Sequence, residues 1–298
     1  MLVCVGSIAF DSVETPERKV EDVLGGSAVF FGLAASFFGP VGLVGVVGED
    51  FAEENLDLLR SRGIDTAGVE RVPGRTFRWA GRYVDDMNVR ETTNLELNVF
   101  GDFEPTLPDA YRDCDYCFLA NGSPAIQHRV IDQLHSPKLV LADTMNHWIA
   151  DTRDDVLRML ERVDGVIIND EEATMLAERR NLVAAARAVA ALGPEIVVVK
   201  KGAHGCLVVV GDSVVPLPAF PLEEVRDPTG AGDCFAGAFM GYLAQAGDHS
   251  LATLRRAALY GTLVASFDCE GFSIDRLRDL TLDEIEARRQ LFADMLRL

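Results

Sequence analysis

Positive charge is scarce in this sequence. Its 47 acidic residues outnumber 28 basic residues, which gives a formal net charge of −19. Lysine is especially rare and occurs only at Lys19, Lys138, Lys200 and Lys201. A surface that binds nucleic acid needs a basic face to meet the phosphate backbone. This composition therefore argues against a nucleic acid partner.

Long hydrophobic runs are also missing. No stretch approaches the roughly 20 uncharged apolar residues that a membrane-spanning helix needs. The first residues, Met1 to Gly6, carry no basic segment of the kind that opens a secretory signal, and they are typical of a first core strand. We therefore expect a cytoplasmic protein without a membrane partner.

Cysteine patterns and common nucleotide or metal motifs exclude further classes. Only Cys114 and Cys117 have suggestive spacing, and they fall in a predicted strand, where positions three apart face opposite sides. We therefore expect structural thiols in a reducing compartment. The sequence contains neither H-E-x-x-H nor a Gly-Lys dipeptide, which excludes a zincin and a Walker-type phosphate loop.

What the sequence does contain is an α/β pattern. Hydrophobic residues make up 48% and charged residues 25%, which suits one large domain spanning residues 1–298. From residue 114 onward, strand and helix patterns alternate, which predicts a mainly parallel sheet with helices on both faces. The predicted strands are 116–120, 139–142, 165–168 and 196–200, and the predicted helices are 126–134, 153–162, 171–177 and 182–192.

A second region has a different pattern. Across residues 75–100, aromatic and β-branched side chains alternate with polar ones, which is typical of half-exposed antiparallel strands. A turn is predicted near 85–88. Together with residues 10–23, this segment should form a small sheet beside the main body.

The residues that carry the strongest chemical signal lie between Asp227 and Phe239. Gly230 and Gly232 allow a tight turn with successive amides facing outward, and an apolar segment typical of a helix follows. Amides and a helix dipole that meet at one point bind anionic oxygens, and Asp233 places a carboxylate beside them. Such a pair suits phosphoryl transfer to a hydroxyl group. The structural alternative is a glycine turn with Asp233 as an ordinary helix cap.

This stretch resembles the C-terminal signature of the ribokinase (PfkB-type) family of carbohydrate and nucleoside kinases, and the resemblance extends from Asp11 to about Gly271. It implies a three-layer α/β sandwich whose small β-sheet, formed by about 10–23 and 75–100, closes as a lid and often makes a homodimer contact. It also implies ATP and Mg²⁺ as cofactors. In the resemblance, Gly230, Ala231 and Gly232 form the anion hole and Asp233 is the catalytic base.

The resemblance implies roles for further residues in four groups. Acceptor binding falls to Asp11, Gly25 and Gly26; ATP binding to Lys201, Gly202, Thr229, Gly232, Tyr260 and Val264; Mg²⁺ binding through water to Asn169 and Glu172; and K⁺ binding to Asp227 and Thr229. Asn169 and Glu172 have a second interpretation from position alone, because residues three apart at a strand-to-helix junction also suit a helix cap.

The sequence departs from the family pattern at Phe30, where many relatives carry an asparagine that reaches the substrate. An apolar ring cannot replace that hydrogen bond but could stack on a flat base, which favours a nucleoside over a simple sugar. The alternative is that Phe30 packs in the core of its apolar helix.

We therefore predict an ATP-dependent kinase that phosphorylates a hydroxyl of a sugar or nucleoside. Sugar, nucleoside and sugar-phosphate acceptors all remain open. A catalytically silent ligand-binding protein of the same fold is the competing hypothesis. A dinucleotide-dependent oxidoreductase is disfavoured, because no glycine fingerprint follows the first strand.

Overall fold

Two sheets form the framework of the molecule. The computed structural model describes residues 1–84 and 86–297. Within that part of the chain, the large sheet has nine strands in the order β13-β12-β11-β10-β9-β8-β1-β4-β5. Its strands are β1 (Leu2–Val5), β4 (Val41–Val47), β5 (Ile64–Arg71), β8 (Tyr116–Leu119), β9 (Leu139–Ala142), β10 (Gly165–Asn169), β11 (Ile196–Lys200), β12 (Cys206–Val210) and β13 (Ser213–Leu217).

The large sheet is mainly parallel. Every neighbouring pair from β5 to β11 is parallel. At the other edge, β12 pairs antiparallel with both β11 and β13. β1, β4, β8 and β9 are buried along their whole length, as expected for strands covered by helices on both faces. The predicted fold class is confirmed.

Helices cover both faces of this sheet. They are α1 (Ser27–Ala35), α2 (Glu53–Ser61), α3 (Asp109–Arg112), α4 (Pro124–Ile131), α5 (Asn146–Asp151), α6 (Arg153–Leu160), α7 (Asp170–Ala177), α8 (Leu182–Ala190), α9 (Ala231–Ala246), α10 (Leu251–Asp268), α11 (Asp275–Asp279) and α12 (Leu282–Met295). One core contains residues of α1, α9 and α10, and the other contains residues of α4, α6, α7 and α8. Successive β1 side chains alternate between these two cores, because neighbouring side chains of a strand point to opposite faces.

The small sheet has four strands in the order β3-β2-β6-β7 among the described residues. They are β2 (Ala9–Glu14), β3 (Lys19–Gly25), β6 (Phe77–Arg82) and β7 (Glu91–Glu96). β6 and β7 pair antiparallel, as predicted for residues 75–100, and β2 and β3 are also antiparallel, but β2 and β6 run parallel where they meet. Asp85, in the predicted turn at 85–88, lies outside the described residues.

Two local expectations were wrong. Cys114 precedes β8 instead of lying inside it, so its thiol can meet that of Cys117 in the same core. Both thiols are nevertheless free and buried, as expected of structural cysteines. The short helix α5 was not predicted, because its six residues are too few for a clear helical period.

No helix in the described ranges combines the length and the apolar character needed to cross a membrane.

Candidate active site

Several polar side chains meet where parallel strands of the large sheet end. Asp143 directly follows β9, Asn169 ends β10 and Lys200 ends β11, with Asn169 and Lys200 paired in register. Helix α9 begins nearby at Ala231, since the Lys200 ammonium lies beside Gly232. The carboxyl ends of parallel strands are where open α/β sheets bind ligands, so this edge is the candidate active site.

The glycine turn before α9 has the geometry that its sequence predicts. Gly230 caps the helix with a φ of 89°, a conformation that favours glycine. A Cβ atom on Gly230 would also lie 2.4 Å from Cδ1 of Phe30. The turn therefore excludes a side chain for two independent reasons, one conformational and one steric. The Ala231 amide donates to Pro228 O at 3.2 Å, and the amides of the next residues of α9 have no partner within the helix, which is the requirement for an anion hole.

Phe30 is the support beneath this turn. Its side chain is 1% exposed and contacts the space that a Gly230 side chain would fill. A ring buried in this way has no face to offer a nucleobase. The stacking interpretation of Phe30 is therefore wrong, and the alternative, a core position, is what the structure shows.

Asp233 lies in the first turn of α9 and is half-buried. Burial raises the pKa of its carboxyl to about 7, the charge of Asp143 adds to the rise, and Lys200 and Arg90 oppose it. A helix N-terminus on its own would have lowered this pKa, but desolvation outweighs it. A carboxyl group that titrates near neutral pH is well matched to general-base catalysis.

Asp11 lies in β2 of the small sheet. It is 5% exposed, and its Oδ2 accepts a hydrogen bond from the Gly26 amide at 3.3 Å. A Cβ atom on Gly25 would lie 2.0 Å from the same oxygen, so only glycine fits there. Burial raises the pKa of Asp11 to about 7, and the charges of Asp227 and Asp233 contribute. The structure thus brings together the three residues predicted to bind the acceptor.

Asn169 and Glu172 form a capping box at the start of α7. Asn169 Oδ1 accepts from the Glu172 amide at 2.8 Å, and Glu172 Oε2 accepts from the Asn169 amide at 2.7 Å. The cap interpretation left open by the sequence is therefore what the structure shows, and it is compatible with a metal role. Burial raises the pKa of Glu172 to about 8, with Asp143 adding to the rise. Within the described ranges, no three His, Cys, Asp or Glu side chains converge to bind a metal directly.

Asp227 and Thr229 lie at the entrance to the glycine turn. Asp227 is 1% exposed, and its two oxygens accept from the amides of Thr229 at 2.9 Å and Ser273 at 3.3 Å.

Asp268 is equally buried, and its carboxylate oxygens have no hydrogen-bond partner among the described residues. Burial raises the pKa of Asp268, and the charge of Asp227 adds to the rise. Sequence reasoning missed Asp268, because an acid near the end of an apolar helix gives no signal of its own.

The segment that joins β6 to β7 of the small sheet contacts both loops that were predicted to hold nucleotide. The Tyr83 hydroxyl lies 3.2 Å from Thr229 Oγ1. Asn88 Oδ1 accepts from the Ala203 amide at 3.0 Å, next to Gly202, whose φ is 50°. Neither Tyr83 nor Asn88 was among the predicted site residues, because both follow the end of β6 and the sequence of a connecting segment does not reveal which loop it will meet.

Two predicted nucleotide contacts are not brought into this cluster. Val264 has no exposed surface, and the Tyr260 hydroxyl donates to Glu286 Oε1 at 2.6 Å while its ring stacks on Tyr242. Lys201 is better placed, because it opens the loop at Gly202 and its amide donates to Gly205 O at 2.7 Å.

Comparison with known proteins agrees with this fold and site. The family model described as pfkB family carbohydrate kinase matches residues 1–273. The chain is 32% identical to a cytidine kinase of Thermococcus kodakarensis, over 80% of this chain and 87% of the relative. It is 28% identical to a nucleoside kinase of Methanothermobacter thermautotrophicus, over 90% of this chain and 89% of the relative.

Among solved structures, a ribokinase II-type protein from E. coli in complex with ATP and Mg²⁺ has a similar fold. The TM-score is 0.80 at 20% identity, over 97% of this chain and 99% of that chain. The chain therefore belongs to the pfkB family of carbohydrate kinases. It is a phosphotransferase whose acceptor is a hydroxyl group of a sugar or nucleoside, and no observation favours the catalytically silent alternative.

Proposed function

We propose that this enzyme transfers the γ-phosphoryl group of ATP to a hydroxyl of a nucleoside. The observation that carries the proposal is the juxtaposition of Asp233, whose pKa is raised to about 7, with the amides of the turn from Gly230 to Gly232. Two of the relatives are a cytidine kinase and a nucleoside kinase, which supports a nucleoside acceptor. The stacking argument through Phe30 does not contribute to this choice.

Each step of the transfer has a candidate residue. Asp11, held by the Gly26 amide and packed on Gly25, would bind acceptor hydroxyls. Asp233 would orient the reacting hydroxyl and take its proton. The amides from Gly230 to Gly232 would stabilise the charge that develops on the phosphoryl oxygens. A loose transition state releases the proton late, so a carboxylate is a sufficient base.

Nucleotide binding is proposed for Lys201, Gly202, Thr229 and Gly232, and not for Tyr260 and Val264, which lie outside this cluster. Lys201 and Gly202 support this role by their position in the loop after β11, which contacts the small sheet. The ATP complex of the E. coli structure supports ATP as the phosphoryl donor.

Mg²⁺ is proposed to bind through water near Asn169 and Glu172. Amide and carboxylate oxygens are suitable partners for a hydrated Mg²⁺, which keeps most of its own waters. When bound, Mg²⁺ neutralises phosphate charge. The capping box holds both side chains in place at the strand end without any metal.

A K⁺ site is proposed beside the turn, at Asp227 and Thr229. Support comes from the buried oxygens of Asp268, which have no hydrogen-bond partner within residues 1–84 and 86–297, since a carboxylate in this setting is stabilised by a nearby cation. We expect modest activation by K⁺ over Na⁺ at equal ionic strength. Equal rates in the two salts would argue against a selective site.

We further propose that the small sheet acts as a lid on a single kinase domain in the cytoplasm. Its contacts through Tyr83 and Asn88 couple it to both nucleotide loops. Val89, Leu95 and Leu97 on this region are exposed, which suits a homodimer contact through the lid. Sedimentation of the purified protein would test the dimer.

An acceptor panel tests the proposed reaction. ADP release should be measured with cytidine, adenosine, inosine, ribose, deoxyribose and fructose, each with ATP and Mg²⁺. We expect the highest kcat/KM with a nucleoside, and ADP release about 10²–10⁴-fold slower from the Asp233→Asn variant. A free sugar as the best acceptor would overturn the nucleoside assignment. ATP binding without turnover of any acceptor would favour the silent binding protein.

A further inference from the structure

The ammonium of Lys200 lies beside the glycine turn. A Cβ atom on Gly232 would lie 3.1 Å from Lys200 Nζ, so the ammonium occupies the space beside the second glycine of the turn. The Lys200 side chain is only 17% exposed. A positive charge is therefore held inside the site, beside Gly232.

Among the described residues, the contacts of Lys200 leave N–H donors of its ammonium group available for a further acceptor. Its Nζ lies 3.5 Å from Oδ2 of Asp143, which is longer than the roughly 2.7–2.9 Å of a fully formed charge-assisted hydrogen bond. An ammonium carries three donors, and a buried one needs acceptors for them. Phosphoryl oxygens are strong acceptors of the right charge.

The carboxyl groups around Lys200 favour its charged form. Asp143, Glu172 and Asp233 all raise the pKa of Lys200, which keeps the side chain protonated at neutral pH despite burial. Asp143 is itself 6% exposed and follows β9, so the pair connects two strand ends that face the turn. A lysine fixed between a carboxylate and an anion hole is suited to bind an anion there.

We propose that Lys200 binds the terminal phosphoryl group of the nucleotide during transfer, and that Asp143 positions it. This inference rests on the proposed kinase reaction. In that reaction the acceptor oxygen bonds to the γ-phosphorus, and the bond from phosphorus to the bridging oxygen breaks with its electron pair going to ADP. The acceptor proton passes to Asp233. Lys200 stabilises the negative charge of the phosphoryl oxygens throughout.

The competing role for Lys200 is purely structural, as neutralisation of the buried Asp143. Binding measurements without acceptor separate the two roles, because only one of them depends on the third phosphate. Affinities for AMP-PNP and for ADP, each with Mg²⁺, should be measured by calorimetry for the wild type and for Lys200→Met. We expect the Kd of AMP-PNP to rise about tenfold or more and that of ADP to stay within about threefold. Equal weakening of both nucleotides would overturn the proposal.

Kinetics and a double variant complete the test. Lys200→Met should lower kcat by about 10²–10³-fold, as for loss of one group that stabilises transition-state charge, with little change in acceptor KM. Lys200→Met combined with Asp143→Asn removes the unpaired carboxylate and secures folding if the single variant fails to fold. If the double variant regains wild-type kcat, Lys200 only neutralises Asp143. If it stays impaired and still discriminates against AMP-PNP relative to ADP, the phosphate-binding role stands.

Lys138→Met is the matched control, because Lys138 pairs with Asp115 on the surface and its loss changes the net charge equally. It should leave all these values within about twofold of wild type. The binding arm also keeps the two proposals distinct. If no acceptor is turned over by the wild type, the reaction fails, whereas a Lys200-dependent preference for AMP-PNP over ADP would persist.

Discussion

The ionised Asp233 carboxylate should lower the stability of the folded protein while it makes the enzyme active. The structure indicates the size of this loss of stability. The pKa of its carboxyl is raised from 3.8 to about 7, chiefly by burial. Such a displacement corresponds to at most about 4 kcal/mol at full burial. Because Asp233 is only half-buried, solvent screening reduces the expected figure to about 2 kcal/mol.

The sign of the effect follows from proton binding in the two states. The folded protein holds the proton until the pH rises through about 7, whereas the unfolded chain releases it near 3.8. The destabilisation therefore develops between about pH 4 and pH 7 and is complete above pH 7. Asp233→Asn lacks this ionisation. It should unfold at the same temperature as wild type at pH 4 and roughly 3 °C higher at pH 8, as about 2 kcal/mol implies for a chain of 298 residues.

Activity should move in the opposite direction. Wild-type kcat/KM should rise with pH through about 7 as the base ionises, and Asp233→Asn should lose about 10²–10⁴-fold in turnover. Thermal unfolding at pH 4 and pH 8 and steady-state rates across that range check both halves. Activity within threefold of wild type would remove Asp233 from its catalytic role. An identical unfolding temperature at pH 8 would refute the burial argument.

Three further substitutions test the site. Gly230→Ala should cost about 2–5 kcal/mol in chemical denaturation, because the left-handed φ and the contact with Phe30 both oppose a Cβ atom; a loss under 1 kcal/mol would contradict this. Gly232→Ala should lower kcat about 10²-fold, since the new methyl would lie 3.1 Å from the Lys200 ammonium and shift it; unchanged kcat would contradict this. Glu172→Gln should preserve stability, because Gln also closes a capping box, but raise the Mg²⁺ concentration for half-maximal rate; an unaltered Mg²⁺ titration would leave only the cap role.

The parts of the fold that could be predicted are those that depend on residues close together in the sequence. The alternation of apolar strands with helical segments from residue 114 onward indicated the parallel sheet, because strands and helices differ in the spacing of their hydrophobic residues. The signature from Asp227 to Asp233 is contiguous, so the turn and the start of α9 could be placed without knowing any distant contact. Glycines at Gly25 and Gly26 were recognised in the same way.

The parts that were missed depend on contacts between distant segments. Lys200 was noticed only as the end of a strand, and its approach to Asp143 and Gly232 appears only when three separate elements meet. Cys114 was misplaced because strand ends are poorly defined by sequence. The parallel pairing of β2 with β6 was likewise not predicted, since the sequence of a strand does not indicate which other strand it will pair with.

Phe30 shows how such a contact changes the meaning of a residue. In sequence it is an apolar departure from a family asparagine, and this suggested an altered acceptor. In the structure its ring fills the space under Gly230, about two hundred residues away, and excludes any side chain there. Helix α1 follows directly from Gly26, which holds Asp11, so one buried ring connects the acceptor side of the site to the anion hole. A change at Phe30 should therefore disturb phosphate binding through the turn before it alters the choice of acceptor.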